Sequence, residues 1–192
     1  MKNIIRTMLV ILLFFTFSVQ AAETLTLDPS HTYILWHIKH FDFSTQVGKW
    51  YINHGTLTLD KDHLDKSKVD VDIQLANIVT GIPELDKHLK EKLFFNVDQY
   101  PTATFVSNKV VMNNKTSAKV YGTLTLHGVS KPVVLSVKLN KMGISPISNL
   151  MTYGFTATTD IKRSDFGINA LIPGLGDEVK LDIEAEASPA KA

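Results

Sequence analysis

The sequence predicts an all-β domain of antiparallel strands, and three observations predict it. Residues 120–139 hold two runs of strictly alternating apolar and polar side chains, separated by a turn around Gly128 and Pro132. Similar alternation recurs, with short breaks, from residue 24 to residue 185. The chain has no cysteine, so the fold must stand on the burial of those apolar faces.

The elements follow in order. Thr24–Leu27 is a short strand, and His31–His40 is a long one with Ile34, Trp36 and Ile38 on one face. Trp50–Leu59 reads as a single strand with Gly55 as a bulge or close-approach point. Val69, Val71, Ile73 and Leu75 alternate with Asp70, Asp72 and Gln74. Ala103, Phe105 and Ser107 share a face in the next strand. In the hairpin, Gly122, Leu124 and Leu126 oppose Tyr121, Thr123 and Thr125, and Val133, Leu135 and Val137 oppose Ser136 and Lys138. Phe155, Ala157, Thr159 and Ile161 share a face, as do Val179, Leu181, Ile183 and Ala185. One segment breaks the rhythm. Pro83 suits a first helical turn, and Leu85, Leu89 and Leu93 follow at helical spacing, which predicts one short amphipathic helix over residues 83–95. Residues 188–192 read as a disordered tail.

Eight or nine strands with one apolar face each are satisfied by a sandwich or by a closed barrel, which also removes exposed edges. The inward faces carry Ala103, Gly122, Ala157, Thr159 and Ala185, and these small residues favour a hollow eight-stranded barrel over a filled one. Ten-residue strands rising ~3.3 Å per residue and tilted ~40° enclose a lumen ~25 Å tall. That height suits a long hydrocarbon chain.

The chain opens on Lys2 and Arg6, an apolar run from Met8 to Phe17, and a small-residue site at Val19-Gln20-Ala21. This is the pattern of a secretory signal peptide over residues 1–21, and it predicts a periplasmic domain over residues 22–187. Removal of Lys2 and Arg6 takes Lys plus Arg from 20 to 18 against 19 acidic residues, a net charge of about −1. No basic stretch marks a nucleic-acid partner. The missing thiols exclude thiol catalysis and thiolate metal sites.

Asp28-Pro29-Ser30-His31-Thr32 leads into Trp36 and His40, and Gly48 and Trp50 form a Gly-x-aromatic. Asp86-Lys87-His88-Leu89, Phe94-Phe95, Tyr100-Pro101 and Ala103-Thr104-Phe105 follow in order. The run from Gly122 to Lys131 and Arg163-Ser164-Asp165-Phe166-Gly167 complete the set. In this order and spacing the motifs resemble those of the YceI-like family of exported polyisoprenoid-binding proteins. The resemblance implies a lipocalin-like barrel holding an isoprenoid or other long amphiphile as its ligand, with no required cofactor. It makes Ile34, Trp36, Ile38, Phe105, Gly122, Leu124, Leu126, Phe155, Ala157 and Ile161 the expected lipid contacts. His40, Asp86, His88, Arg163 and Asp165 become candidates for the ligand headgroup or the mouth. Leu85 departs from the family, which often has Arg or Asn there, so the headgroup is expected to differ.

Each candidate also has a plainer reading. The apolar set could be ordinary core, Asp86 and His88 a solvated helix face, and Arg163 with Asp165 a structural ion pair. His37 and His40 point to opposite strand faces and no His-Glu-x-x-His occurs, so no metal site is expected. The expected partners are a long-chain lipid and a transient membrane contact, with a homodimer left open and no patch marked for it. The rival reading is an exported enzyme using His40, His88 or Asp86 as acid or base, although no Gly-x-Ser-x-Gly is present. A filled envelope stress barrel is the third. The loop Ile172-Pro173-Gly174-Leu175-Gly176 reads as a turn or a lid.

Overall fold

A computed structural model describes residues 22–190, so the signal peptide expected over residues 1–21 lies outside the described residues, as do the last two. The strands are β1 (Glu23–Leu27), β2 (Tyr33–His40), β3 (Ser44–Tyr51), β4 (His54–Leu59), β5 (Lys68–Gln74), β6 (Thr102–Asn114), β7 (Ser117–Leu126), β8 (Val129–Ile144), β9 (Met151–Lys162) and β10 (Leu175–Ser188). One α-helix, α1 (Pro83–Lys90), lies between β5 and β6. All strand pairs are antiparallel, and the sheet runs β1-β4-β5-β6-β7-β8-β9-β10-β2-β3 with β1 also paired to β10.

These ten segments make eight walls. β1 and β2 lie along the same edge of β10, with Leu27 opposite Ala187 and Tyr33 opposite Glu184. They are one strand kinked at residues 28–32. β3 and β4 are likewise one broken strand, since Tyr33 pairs with Tyr51 and Thr26 with Thr56. The eight walls form an up-and-down meander, and β10 closes it against the first strand. Closure leaves β3 above its break without a full neighbour, and among the described residues only Val79 bridges to Lys49 there. Residues 75–101, including α1, fill that gap and cover one end of the barrel. This helical end also holds residues 41–43, the 127–128 turn and residues 163–174. The far end holds residues 60–67, 115–116 and 145–150 and both termini of the barrel.

Local chemistry explains the kink between β1 and β2. The Asp28 carboxylate accepts the Ser30 backbone N–H at 2.8 Å and meets His31 Nδ1 at 2.8 Å, an Asx-type turn around Pro29. Thr32 is buried, and its hydroxyl takes the place of a ladder partner by accepting the Glu186 N–H at 3.2 Å. The His31 hydrogen bond holds Asp28 below the usual carboxylate range, and the same bond raises His31. A raised histidine contributes fully below its unfolded pKa and loses the contribution as pH climbs through the folded value. A lowered aspartate contributes above its unfolded pKa and loses that as pH falls through the folded value. The clasp therefore works best between about pH 4 and pH 6.5. Because both groups are largely exposed, His31→Ala is expected to cost under about 1 kcal/mol. Urea midpoints measured against pH should show the largest difference near pH 5 and a shrinking one above pH 7.

Several boundaries differ from those the sequence predicts. Residues 50–59 are not one strand: the chain breaks after Tyr51 and the parity of inward residues shifts from Trp50 and Ile52 to Leu57 and Leu59. The helix stops at Lys90 rather than 95, and the following turns bond Phe95 N–H to Leu89 O and Phe94 N–H to Glu91 O. Leu93 is thereby swung out to 55% exposure, and Phe94 takes its place in the core. Ser188, expected in the tail, is still strand and pairs with Thr26. The turn between β7 and β8 is His127-Gly128 with φ of 53° and 74°, the double left-handed geometry of a tight hairpin.

Candidate functional site

The inward faces enclose a lumen of about 920 Å³ that runs from His40, Phe41 and His88 at the helical end to Lys115, Thr116 and Met142 at the far end. Nine of the ten residues expected to face a ligand line it: Ile34, Trp36, Ile38, Phe105, Leu124, Leu126, Phe155, Ala157 and Ile161. Strand periodicity places them there, and two register shifts preserve the apolar lining. After the shift at Ser107/Lys109 the inward residues of β6 become Val110 and Met112, and after Leu139/Lys141 the inward residue of β8 becomes Met142. Trp50, Val71, Val120, Val137, Leu181 and Ile183 also line the lumen.

Gly122 is the exception. A Cβ there would lie 2.4 Å from the Phe105 ring, so Gly122 stays small to seat Phe105 rather than to keep the lumen open. Gly48 plays the same part opposite its cross-strand partner Trp36, whose ring would sit 2.2 Å from an added Cβ. The indole of Trp36 therefore lies along the wall and narrows the lumen less than an upright ring would. Trp50 stands beside it, 6.2 Å between ring centroids, and donates its Nε1–H to Leu75 O at 3.2 Å. Phe95 meets Trp50 edge-on at 5.1 Å. These rings, with Leu89, Phe94 and Phe166, form the apolar floor under the helix.

The polar candidates are not gathered into one constellation. His40 lines the mouth, exposed, with its ring edge-on to Phe41 at 4.8 Å. His88 also lines it, and its Nδ1 lies 3.2 Å from Glu91. Asp86 faces away from the lumen and locks the preceding loop, accepting the Thr80 N–H at 2.7 Å and the Thr80 hydroxyl at 2.6 Å. Strand β9 ends at Lys162, so Arg163 and Asp165 do not share a strand face but start a 3₁₀ turn. The expected Arg163–Asp165 pair is not formed. Arg163 is 5% exposed and donates instead to the carbonyls of Gly176 (2.7 Å), Ile168 (2.9 Å) and Leu175 (2.8 Å). Burial pushes its pKa down, and Asp177 opposes that shift. Asp177 in turn accepts the Ser164 N–H and hydroxyl at 2.9 and 2.8 Å, while Asp165 is exposed. The 172–176 loop is tied down by the same arginine and by the Phe41 N–H to Gly174 O bond of 2.7 Å, so it forms a fixed rim rather than a free lid.

The match to the YceI-like domain model covers residues 25–187, all ten strands but for the outermost residues of β1 and β10. The chain belongs to the YceI-like family. Protein YceI of Salmonella newport is 36% identical over 186 residues, 96% of each chain. BcnA of Burkholderia cenocepacia has the same fold, with a TM-score of 0.75 at 21% identity over 83% of this chain and 98% of BcnA. A polyisoprenoid binding domain from Saccharophagus degradans, implicated in plant cell wall breakdown, gives a TM-score of 0.67 at 14% identity over 86% and 98% of the two chains. Within this YceI-like barrel, Leu85 adds its side chain to the apolar lining.

Sequence reasoning missed three lining residues of a different kind, Lys61, Lys68 and Lys115. Two sit in loops, and one opens β5. Nothing in the local pattern marks them, because only closure of the barrel brings these segments to one opening.

Proposed function

We propose that this protein carries or stores a long-chain amphiphile of the isoprenoid type in the periplasm, its chain lying lengthwise in the barrel and unaltered by it. The observation that carries the reading is the continuous, almost wholly apolar lumen of about 920 Å³. That volume lies within the range of ligand cavities, whereas a packed interior leaves few voids larger than a water. Each buried CH₂ contributes about 0.8 kcal/mol, so a long chain binds tightly with few polar contacts. The match to the YceI-like family, together with the likeness to the polyisoprenoid binding domain of Saccharophagus degradans, supports a polyisoprenoid occupant. The export pattern of residues 1–21 supports the compartment.

The chain's two tryptophans, Trp36 and Trp50, both line the lumen and report on its contents. Delipidated protein titrated with a conjugated-polyene fatty acid should show tryptophan quenching and sensitised polyene emission that saturate at one probe per chain. Unchanged tryptophan emission at saturating probe would overturn the reading.

A further inference from the structure

The charged side chains of the lumen are unevenly placed. Among the described residues four line it, Lys61, Lys68, Lys115 and Arg163, and no carboxylate does. Arg163 belongs to the helical end and is consumed by three carbonyls. The three lysines all belong to the far end: Lys61 follows β4, Lys68 opens β5 and Lys115 tips the β6–β7 hairpin. Going around the barrel, these are neighbouring strands, so the lysines flank one side of one opening. Each is exposed yet contributes to the lumen wall, the arrangement in which an aliphatic stem covers apolar surface and the ammonium reaches water.

The acidic groups nearby neutralise only Lys61 of the set. Glu23 pairs with Lys61 at 2.7 Å, and Asp60 turns inward on its own loop to accept the His63 N–H at 2.8 Å. Neither Lys68 nor Lys115 forms an ion pair among the described residues. Ser67, Thr116 and Ser117 add polar lining at the same opening. At the helical end, by contrast, Asp86, His88 and Arg163 each already hold a partner within the protein. An apolar tube whose lining carries unpaired lysines at one mouth and no carboxylate is shaped for an amphiphile with an anionic end.

We propose that the mouth opposite the helix is the headgroup site, where Lys68 and Lys115, with Lys61 beside them, receive the carboxylate or phosphate of an amphiphile whose chain fills the lumen. This rests on the lumen being a lipid site, and the test separates the two. Binding of a C20 prenyl phosphate, the matching C20 prenyl alcohol and inorganic phosphate is measured by displacement of the polyene probe. The wild-type protein is compared with Lys68→Glu/Lys115→Glu, in which both substitutions are on exposed side chains at the rim of the lumen. The wild type should prefer the phosphate over the alcohol by roughly threefold to tenfold, the worth of two exposed charge pairs. Charge reversal should abolish or invert that preference, read as the ratio of phosphate to alcohol affinity on the same protein, so that any loss of the lysine stems from the wall cancels. Inorganic phosphate should displace nothing, because the chain supplies the affinity. Equal wild-type affinities for phosphate and alcohol would overturn the proposal, as would a preference that survives charge reversal. Failure of the alcohol itself to bind would instead sink the lipid site.

Discussion

Replacing Arg163 by Met is expected to destabilise the domain by about 3 kcal/mol or more, because it strands buried carbonyl groups that the guanidinium now satisfies. The three acceptors, Ile168, Leu175 and Gly176, lie on two segments that this side chain links, alongside the Ser164–Asp177 hydrogen bonds. Arg163 thus joins the end of β9 to the start of β10 and holds the rim loop between them. For a domain of this size a loss of 3 kcal/mol lowers Tm by about 6–12 °C. Lysine is not expected to rescue, since a single ammonium cannot reproduce the planar fork that reaches three carbonyls. Thermal and urea unfolding check this. A loss under about 1 kcal/mol would show that the carbonyls find water when the arginine is gone.

The second large effect is on occupancy. Ala157 lies on the lumen wall, opposite Val137 of β8 and Ile183 of β10. A phenylalanine there projects into the open lumen, so the fold should tolerate it better than it tolerates overpacking in a filled core, which costs about 1–3 kcal/mol. The ring takes space that three or four CH₂ units of a ligand would fill, worth about 2–3 kcal/mol at 0.8 kcal/mol each. Affinity for a long-chain ligand should therefore fall roughly 30-fold to 150-fold. The probe titration against an unfolding curve checks it. Undiminished binding in a stably folded Ala157→Phe protein would place the chain elsewhere.

The parts of this fold that could be read from residues are those with period two and bulk. The walls carrying Ile34, Trp36 and Ile38, or Phe155, Ala157 and Ile161, announce their inward face directly. β3 was hidden because its inward positions before Trp50 are Gln46 and Gly48, and the apolar cover at Gly48 comes from Trp36 on the next strand. The same physics misassigns Gly122, whose missing side chain serves Phe105 rather than the lumen. Leu93 continues the helical spacing in sequence, but the chain turns after Lys90 and hands its place to Phe94.

The polar site was less legible, because side-chain partners are set by tertiary closure. Arg163 and Asp165 are two residues apart, which suggests an ion pair, yet a 3₁₀ turn separates them and buried carbonyls compete for the guanidinium. The lysines at the far mouth are scattered over more than fifty positions of sequence and converge only when β4, β5 and β6 stand side by side.

The central claim is that the lumen holds a lipid. Native mass spectrometry of the full protein, isolated from its own cell envelope without denaturation, tests it most directly. The account predicts a discrete adduct of lipid mass on each chain, retained under gentle activation and lost from Ala157→Phe. A bare polypeptide mass, under conditions that preserve a known lipid complex run beside it, would contradict the account.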